Sequence, residues 1–195
     1  AGDIAATGSM GNGGTVQVLG NKVGLINAAS VDASGASGGG TVLVGGDYQG
    51  KHPGVQNAFR TYVGPEAVIK ADAITAGNGG KVIVWADDST RFYGDISARG
   101  GAIGDDGGFV EVSGKRWLDY QGLADTRAPN GRTGTLLLDP ADILINPGNT
   151  TNGSFAGEDF FGSAYGGPVL IGWDDVVTQL GLSNAIISTA NVSTD

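Results

Sequence analysis

Few side chains in this sequence could do chemistry, and they are scattered. There is one histidine, His52, and no cysteine, so a hydrolytic triad would have to recruit His52 as its base, and thiolate catalysis and thiolate metal sites are excluded. Two of the adjacent carboxylate pairs, Asp87-Asp88 and Asp105-Asp106, are candidates for catalytic chemistry. A polysaccharide-cleaving enzyme needs two carboxylates facing one bond. Neighbours in a strand point to opposite faces, and both pairs lie in turn-rich phrases, so they read as solvated corners. Asp105-Asp106 in GGAIGDDGG has the glycine-aspartate composition of a calcium turn but lacks the nine-residue tandem repeat such turns need. Gly79-Gly80 and Gly100-Gly101 are not followed by a helix that would aim amides at a phosphate. The expectation is no catalytic residue, no metal and no cofactor.

A second set of candidates lies in GDYQGKHPGVQNAFRTY, roughly residues 46–62. Tyr48, His52, Phe59, Arg60 and Tyr62 could touch sugar or protein if this stretch leaves the fold as a surface loop. The bland alternative is an excursion whose aromatics pack back on the scaffold, and this is the reading preferred. Three N-x-S/T sequons start at Asn149, Asn152 and Asn191. Asn149 and Asn152 fall in a polar turn region where a glycan acceptor would be exposed.

The elements that would hold these residues are set by a repeat. Gly77 to Gly101, GNGGKVIVWADDSTRFYGDISARGG, is one complete unit. Its opening phrase recurs after Gly14, Gly40, Gly80, Gly108 and Gly134, anchors spaced 26, 40, 28 and 26 residues apart. The long interval carries about 13 inserted residues, since Ile69 lies 29 residues beyond its anchor whereas Val31, Ile96 and Ala124 lie 16 or 17 beyond theirs. A fixed period of this length marks units that bury their apolar faces only by stacking.

Within each unit the apolar residues alternate with period two. Val16/Val18, Val42/Val44, Val82/Val84, Val110/Val112 and Leu136/Leu138 read as inward, with Gln17, Leu43, Ile83, Glu111 and Leu137 outward. A second strand puts Val31/Ala33, Ile69/Ala71, Ile96/Ala98 and Ala124/Thr126 inward. Like residues at like phase predict an all-β, right-handed parallel β-helix of about 26–28 residues per coil. A β-sandwich is the rival, but it does not require the same residue class at the same phase in every unit.

Composition agrees. Glycine supplies 37 of 195 residues, against a usual share of about 7%, and without a collagen triplet the excess belongs to corners. A net charge of −9 disfavours nucleic acid, which requires a basic face. No apolar run reaches membrane-spanning length. Residues 1–145 are expected to hold the coils and 146–172 a turn-rich excursion. In 173–195 a short helix, Trp173 to Leu180, has Asp174 and Asp175 in its first turn and an apolar face of Trp173, Val176, Val177 and Leu180. A strand pattern then resumes at Ala185. Both ends of the chain read as cut through this pattern, so an internal segment of something longer is expected.

The phrases GGTVLVGGDYQG, NAFRTYVGPEAVIKADA, GNGGKVIVWADDSTRFYGDISARGG, GGFVEVSGKRWLDYQG and GTLLLDPADILI, in that order, resemble the region after the secretion domain of filamentous-haemagglutinin-like exoproteins. These are the large secreted partners of two-partner secretion systems, high-molecular-weight adhesins among them. The resemblance covers about residues 14–145, with a weaker phrase over 173–189. It implies export through an outer-membrane transporter partner, a secreted or bacterial cell-surface location, and service as an adhesin or its stalk. It also implies as partners a host-cell or matrix glycan or protein receptor, or neighbouring chains in a fibre. A non-enzymatic structural segment is therefore expected. The alternatives are a carbohydrate-binding module with the 46–62 loop as its contact, or a polysaccharide-degrading enzyme.

Overall fold

The structure, a computed structural model, describes residues 2–148 and 169–189. It is all-β with one short helix, and its strands pair in parallel. After β1 (Asp3–Ala5), the first unit lays down β2 (Thr15–Val18), β3 (Lys22–Leu25) and β4 (Ser30–Asp32). The second gives β5 (Thr41–Val44), β6 (Arg60–Val63) and β7 (Val68–Lys70); the third β8 (Lys81–Ala86), β9 (Ser89–Phe92) and β10 (Asp95–Ser97). The fourth gives β11 (Phe109–Gly114), β12 (Trp117–Tyr120) and β13 (Leu123–Asp125). Then come β14 (Thr135–Leu138), β15 (Ile143–Asn146), β16 (Val169–Gly172), helix α1 (Trp173–Leu180) and β17 (Asn184–Ile187).

Each full unit contributes one strand to each of three sheets, ordered β2-β5-β8-β11-β14-β17, β3-β6-β9-β12 and β1-β4-β7-β10-β13. Strands β15 and β16 pair with each other in a separate sheet. The register is the one the alternation predicts. Val16 lies beside Val42, Val42 beside Val82, Val82 beside Val110, and Ile69 beside both Val31 and Ile96. The inward side chains of all three sheets form one apolar cluster. Complete burial of a valine or isoleucine contributes roughly 1.5–3 kcal/mol.

The glycine pairs that open each unit are required by stacking. A Cβ on Gly80 would run into the carbonyl oxygen of Gly40, and one on Gly108 into that of Gly80.

Three expectations change. Each unit has three strands, not two. The polar corner with its aromatic is itself a strand, hidden in the sequence because its inward column mixes Val23 and Leu118 with Thr61 and Thr90. Those threonines are buried without penalty, since Thr61 Oγ1 donates to the Trp85 carbonyl and Thr90 Oγ1 to that of Ser113, both at 2.7 Å. Second, the outward column of the first sheet is exposed only at Gln17: Leu43, Ile83, Glu111 and Leu137 are all buried. Third, helix α1 has the expected bounds but the opposite orientation. Trp173, Val177 and Leu180 face outward, Val176 is part-buried, and the residue fully inside is Gln179.

Candidate functional site

The inserted residues between β5 and β6 fold back over the outer face of the first sheet. Gly45 and Gly46 start the excursion, and Gly45 has φ +77°, a backbone state that costs glycine little. Asp47 caps a 3-10 turn, Tyr48–Gly50, by accepting from the Tyr48 N–H at 2.7 Å. Gly50, also left-handed at φ +61°, rests on the Trp85 indole, where a Cβ would collide with the ring. Under this cover Leu43, Ile83 and Trp85 form a second apolar cluster, with Val55 and Phe109 against it.

Polar contacts lock the loop to later units. The Gln49 backbone N–H donates to Glu111 Oε2 at 3.1 Å, and Gln49 Nε2 donates to Asp139 Oδ2 at 3.0 Å. Lys51 Nζ donates to Gln49 Oε1 at 2.7 Å, and Asn57 Nδ2 joins the Gly50 carbonyl to Asp87 Oδ1. Glu111 and Asp139 are fully buried. Burial foremost, and then the neighbouring Asp139 charge, push the Glu111 carboxyl up to about 7, against the opposing hydrogen bonds from Gln49 and Ser113 and the charge of Lys81.

Beside the loop, a groove of about 990 Å³ runs along the stacking direction. Its floor is the outermost column of the first sheet, Thr41, Lys81, Phe109, Thr135 and Asn184, which pair in register on five successive strands. At the strand spacing this column is roughly 19 Å long. The Tyr48 ring forms part of one wall, edge-on to Phe109 with centroids 5.8 Å apart. Asn78, Asp106 and Arg132 form the other. Both cations are matched: Lys81 Nζ lies 2.5 Å from Asp47 Oδ1, and Arg132 Nη2 lies 2.6 Å from Asp106 Oδ2. The hydrogen bond from Arg132 holds the Asp106 carboxyl below its usual range. Burial opposes the same effect at Asp47, but the Lys81 ammonium prevails and its carboxyl also sits low.

Comparison with protein-family models and with curated proteins finds no match to this chain.

The five loop candidates do not converge. Tyr48 borders the groove. His52 is exposed, its Nδ1 accepting from the Gly54 N–H at 3.1 Å. Arg60 and Tyr62 are not in the loop but in β6. Arg60 Nε meets Asp88 Oδ2 at 2.7 Å while its guanidinium covers the exposed Phe59 ring, and Tyr62 packs edge-on to Tyr93. Asp88 departs from the solvated-corner expectation: it is buried, and Arg116 approaches its other oxygen at 3.4 Å. Asp87 is exposed and accepts from Trp85 Nε1 and Asn57. Asp105 accepts from the Gly77 N–H. Asn149, Asn152 and Asn191 lie outside the described residues.

Gly35-Ala36-Ser37-Gly38-Gly39 has the letters of a nucleophile elbow. A strand, β5, follows it instead of a helix, and the Ser37 hydroxyl donates to the Met10 carbonyl. Among the described residues no three His, Asp or Glu side chains are grouped to hold a metal ion, and no helix is long and apolar enough to cross a membrane. Sequence reasoning missed Lys81, Phe109, Thr135 and Asn184 as a site, although the first three each directly follow an anchor glycine of the repeat. It also missed Glu111 and Asp139, whose burial depends on a loop from another unit.

Proposed function

We propose that this chain is a non-enzymatic structural segment of a large secreted bacterial surface adhesin or fibre, exported by two-partner secretion and wound as a right-handed parallel β-helix. The observation that carries the reading is the in-register stacking of like side chains, Val16 on Val42 on Val82 on Val110, across successive units. The ordered phrases resembling filamentous-haemagglutinin-like exoproteins supply the secretion and adhesion parts. Right-handed winding follows from the strong preference of parallel strand connections for that hand.

The role is mechanical. Every unit adds roughly 4.8 Å of length and a continuous row of backbone hydrogen bonds, and burial of the inward columns outside the cell opposes backsliding during export.

Two experiments test it. Tandem insertion of further copies of residues 80–107 should lengthen the particle in solution scattering by roughly 4.8 Å per copy at constant cross-section; a widening cross-section removes the winding. In the full-length exoprotein expressed with its transporter, Asp47→Cys with Asn57→Cys should close the loop by a disulfide and stall secretion under oxidising conditions. Normal emergence of cross-linked chains would sink the export reading.

A further inference from the structure

We infer that the groove between the docked loop and the Asp106–Arg132 turn binds an extended, uncharged oligosaccharide. The inference rests on the groove's own chemistry and is independent of the fibre reading.

The shape asks for a linear ligand, since the floor column crosses five strands in one line. What the floor offers excludes a peptide strand. The amides of Thr41, Lys81, Phe109, Thr135 and Asn184 donate to the carbonyls of Gly14, Gly40, Gly80, Gly108 and Gly134 at 2.9–3.0 Å, so no amide along the floor column is open for strand addition. Charge excludes a polyanion. Lys81 and Arg132 each hold a carboxylate partner, and the chain as a whole carries −9.

What remains exposed is suited to hydroxyl groups. Among the described residues the hydroxyls of Thr41, Thr135 and Tyr48 have no partner, and each can donate and accept. The two ion pairs place a donor beside an acceptor at either wall, an arrangement that engages a hydroxyl without requiring net charge on the ligand. Tyr48 and Phe109, set edge-on, present apolar surface to the C–H face of a pyranose ring. The glycine pairs beside the floor, Gly79-Gly80 and Gly107-Gly108 among them, let a ring approach the backbone closely.

Titration of the intact chain with neutral linear β-1,4-glucan, β-1,3-glucan and α-1,6-mannan oligosaccharides of about four sugars, sized to the pocket, tests this by calorimetry and ligand-observed NMR. A heparin oligosaccharide of the same length and an extended peptide serve as competing arms. Binding of at least one neutral glycan is expected. Tyr48→Ala should weaken it about ten-fold, a loss of about 1.4 kcal/mol, and Thr135→Glu, which fills the floor from an outward position, should abolish it. Tyr93→Phe should leave it unchanged, and circular dichroism should show all three variants folded. The inference is overturned if no neutral glycan binds at millimolar concentration, if only heparin or the peptide binds, or if glycan binding survives both Tyr48→Ala and Thr135→Glu.

Discussion

The side-chain amide of Gln179 takes both backbone hydrogen bonds of Ala124: Oε1 accepts from the Ala124 N–H at 3.1 Å, and Nε2 donates to the Ala124 carbonyl at 2.5 Å. A carboxamide has the donor and acceptor of a peptide unit, so Gln179 stands where the next strand of the third sheet would be. Ser183 extends the seal, its Oγ donating to the same carbonyl at 2.7 Å and accepting from Thr126 Oγ1 at 2.9 Å. Helix α1 thereby covers an edge that would otherwise be a template for pairing with another chain.

Gln179→Leu should therefore cost more than a surface change. It leaves the Ala124 N–H and the Tyr120 hydroxyl, both of which donate to Gln179 Oε1, buried without those bonds, while the Ala124 carbonyl keeps only the one from Ser183. At about 1–3 kcal/mol for each buried group left unsatisfied, a loss of roughly 2–4 kcal/mol is expected in urea unfolding. The amide of Ala124 should exchange with deuterium faster than that of Ile96, which stays inside the sheet.

Glu111 makes stability depend on pH. Its folded-state carboxyl titrates at about 7, above the ordinary 4.5, because it is buried beside Asp139. The folded state thus binds more protons than the unfolded state between these values. The stabilisation is complete below about pH 4.5 and is lost as pH rises through 7. Relative to Glu111→Gln, the natural chain should lose up to roughly 3 kcal/mol between pH 5 and 8. Parallel pH profiles of the two proteins would contradict the assignment.

The loop is a structural cover as well as a wall. Replacing residues 47–56 by a short Gly-Ser turn should expose Leu43, Ile83 and Trp85, which lie beneath it. Each such side chain contributes roughly 1.5–3 kcal/mol when buried, so a lower midpoint of unfolding and binding of an apolar dye are expected. An unchanged midpoint would show that the loop is not a cover.

Asp88 joins two cations in unequal surroundings. Arg60 meets it with a side chain 18% exposed, Arg116 with one 75% exposed. Breaking the first pair by Arg60→Ala, which leaves the buried Asp88 carboxylate without its nearer cation, should cost roughly 3 kcal/mol, whereas Arg116→Ala should cost less than about 1 kcal/mol. Equal costs in denaturant titration would refute this ranking.

Particular residues show how far the sequence could be read. Val42 and Val82 announce their stacking because equal phase in a strand is a local property, and the glycine anchors fix how many residues separate the stacked positions. The bounds of α1 were legible for the same reason, from two acidic residues at its start and Gly181 after its end. Its buried face was not: the helix meets the unpaired edge of a strand, and a hydrogen-bonding amide satisfies that surface better than the apolar stripe does. Glu111 looked solvated because its alternation phase is outward, yet Gln49, 62 residues earlier, reaches over to bury it.

What the sequence determined by itself was the period, the parallel all-β architecture and the inward columns, because these follow from side-chain alternation and from glycines that no Cβ can replace at the corners. Only the tertiary structure decided that the inserted residues close over the outer face and leave a groove along Thr41, Lys81, Phe109, Thr135 and Asn184. Those contacts join residues up to 90 positions apart, and a pairing at that distance depends on the packed surface presented to the loop, which no local pattern encodes.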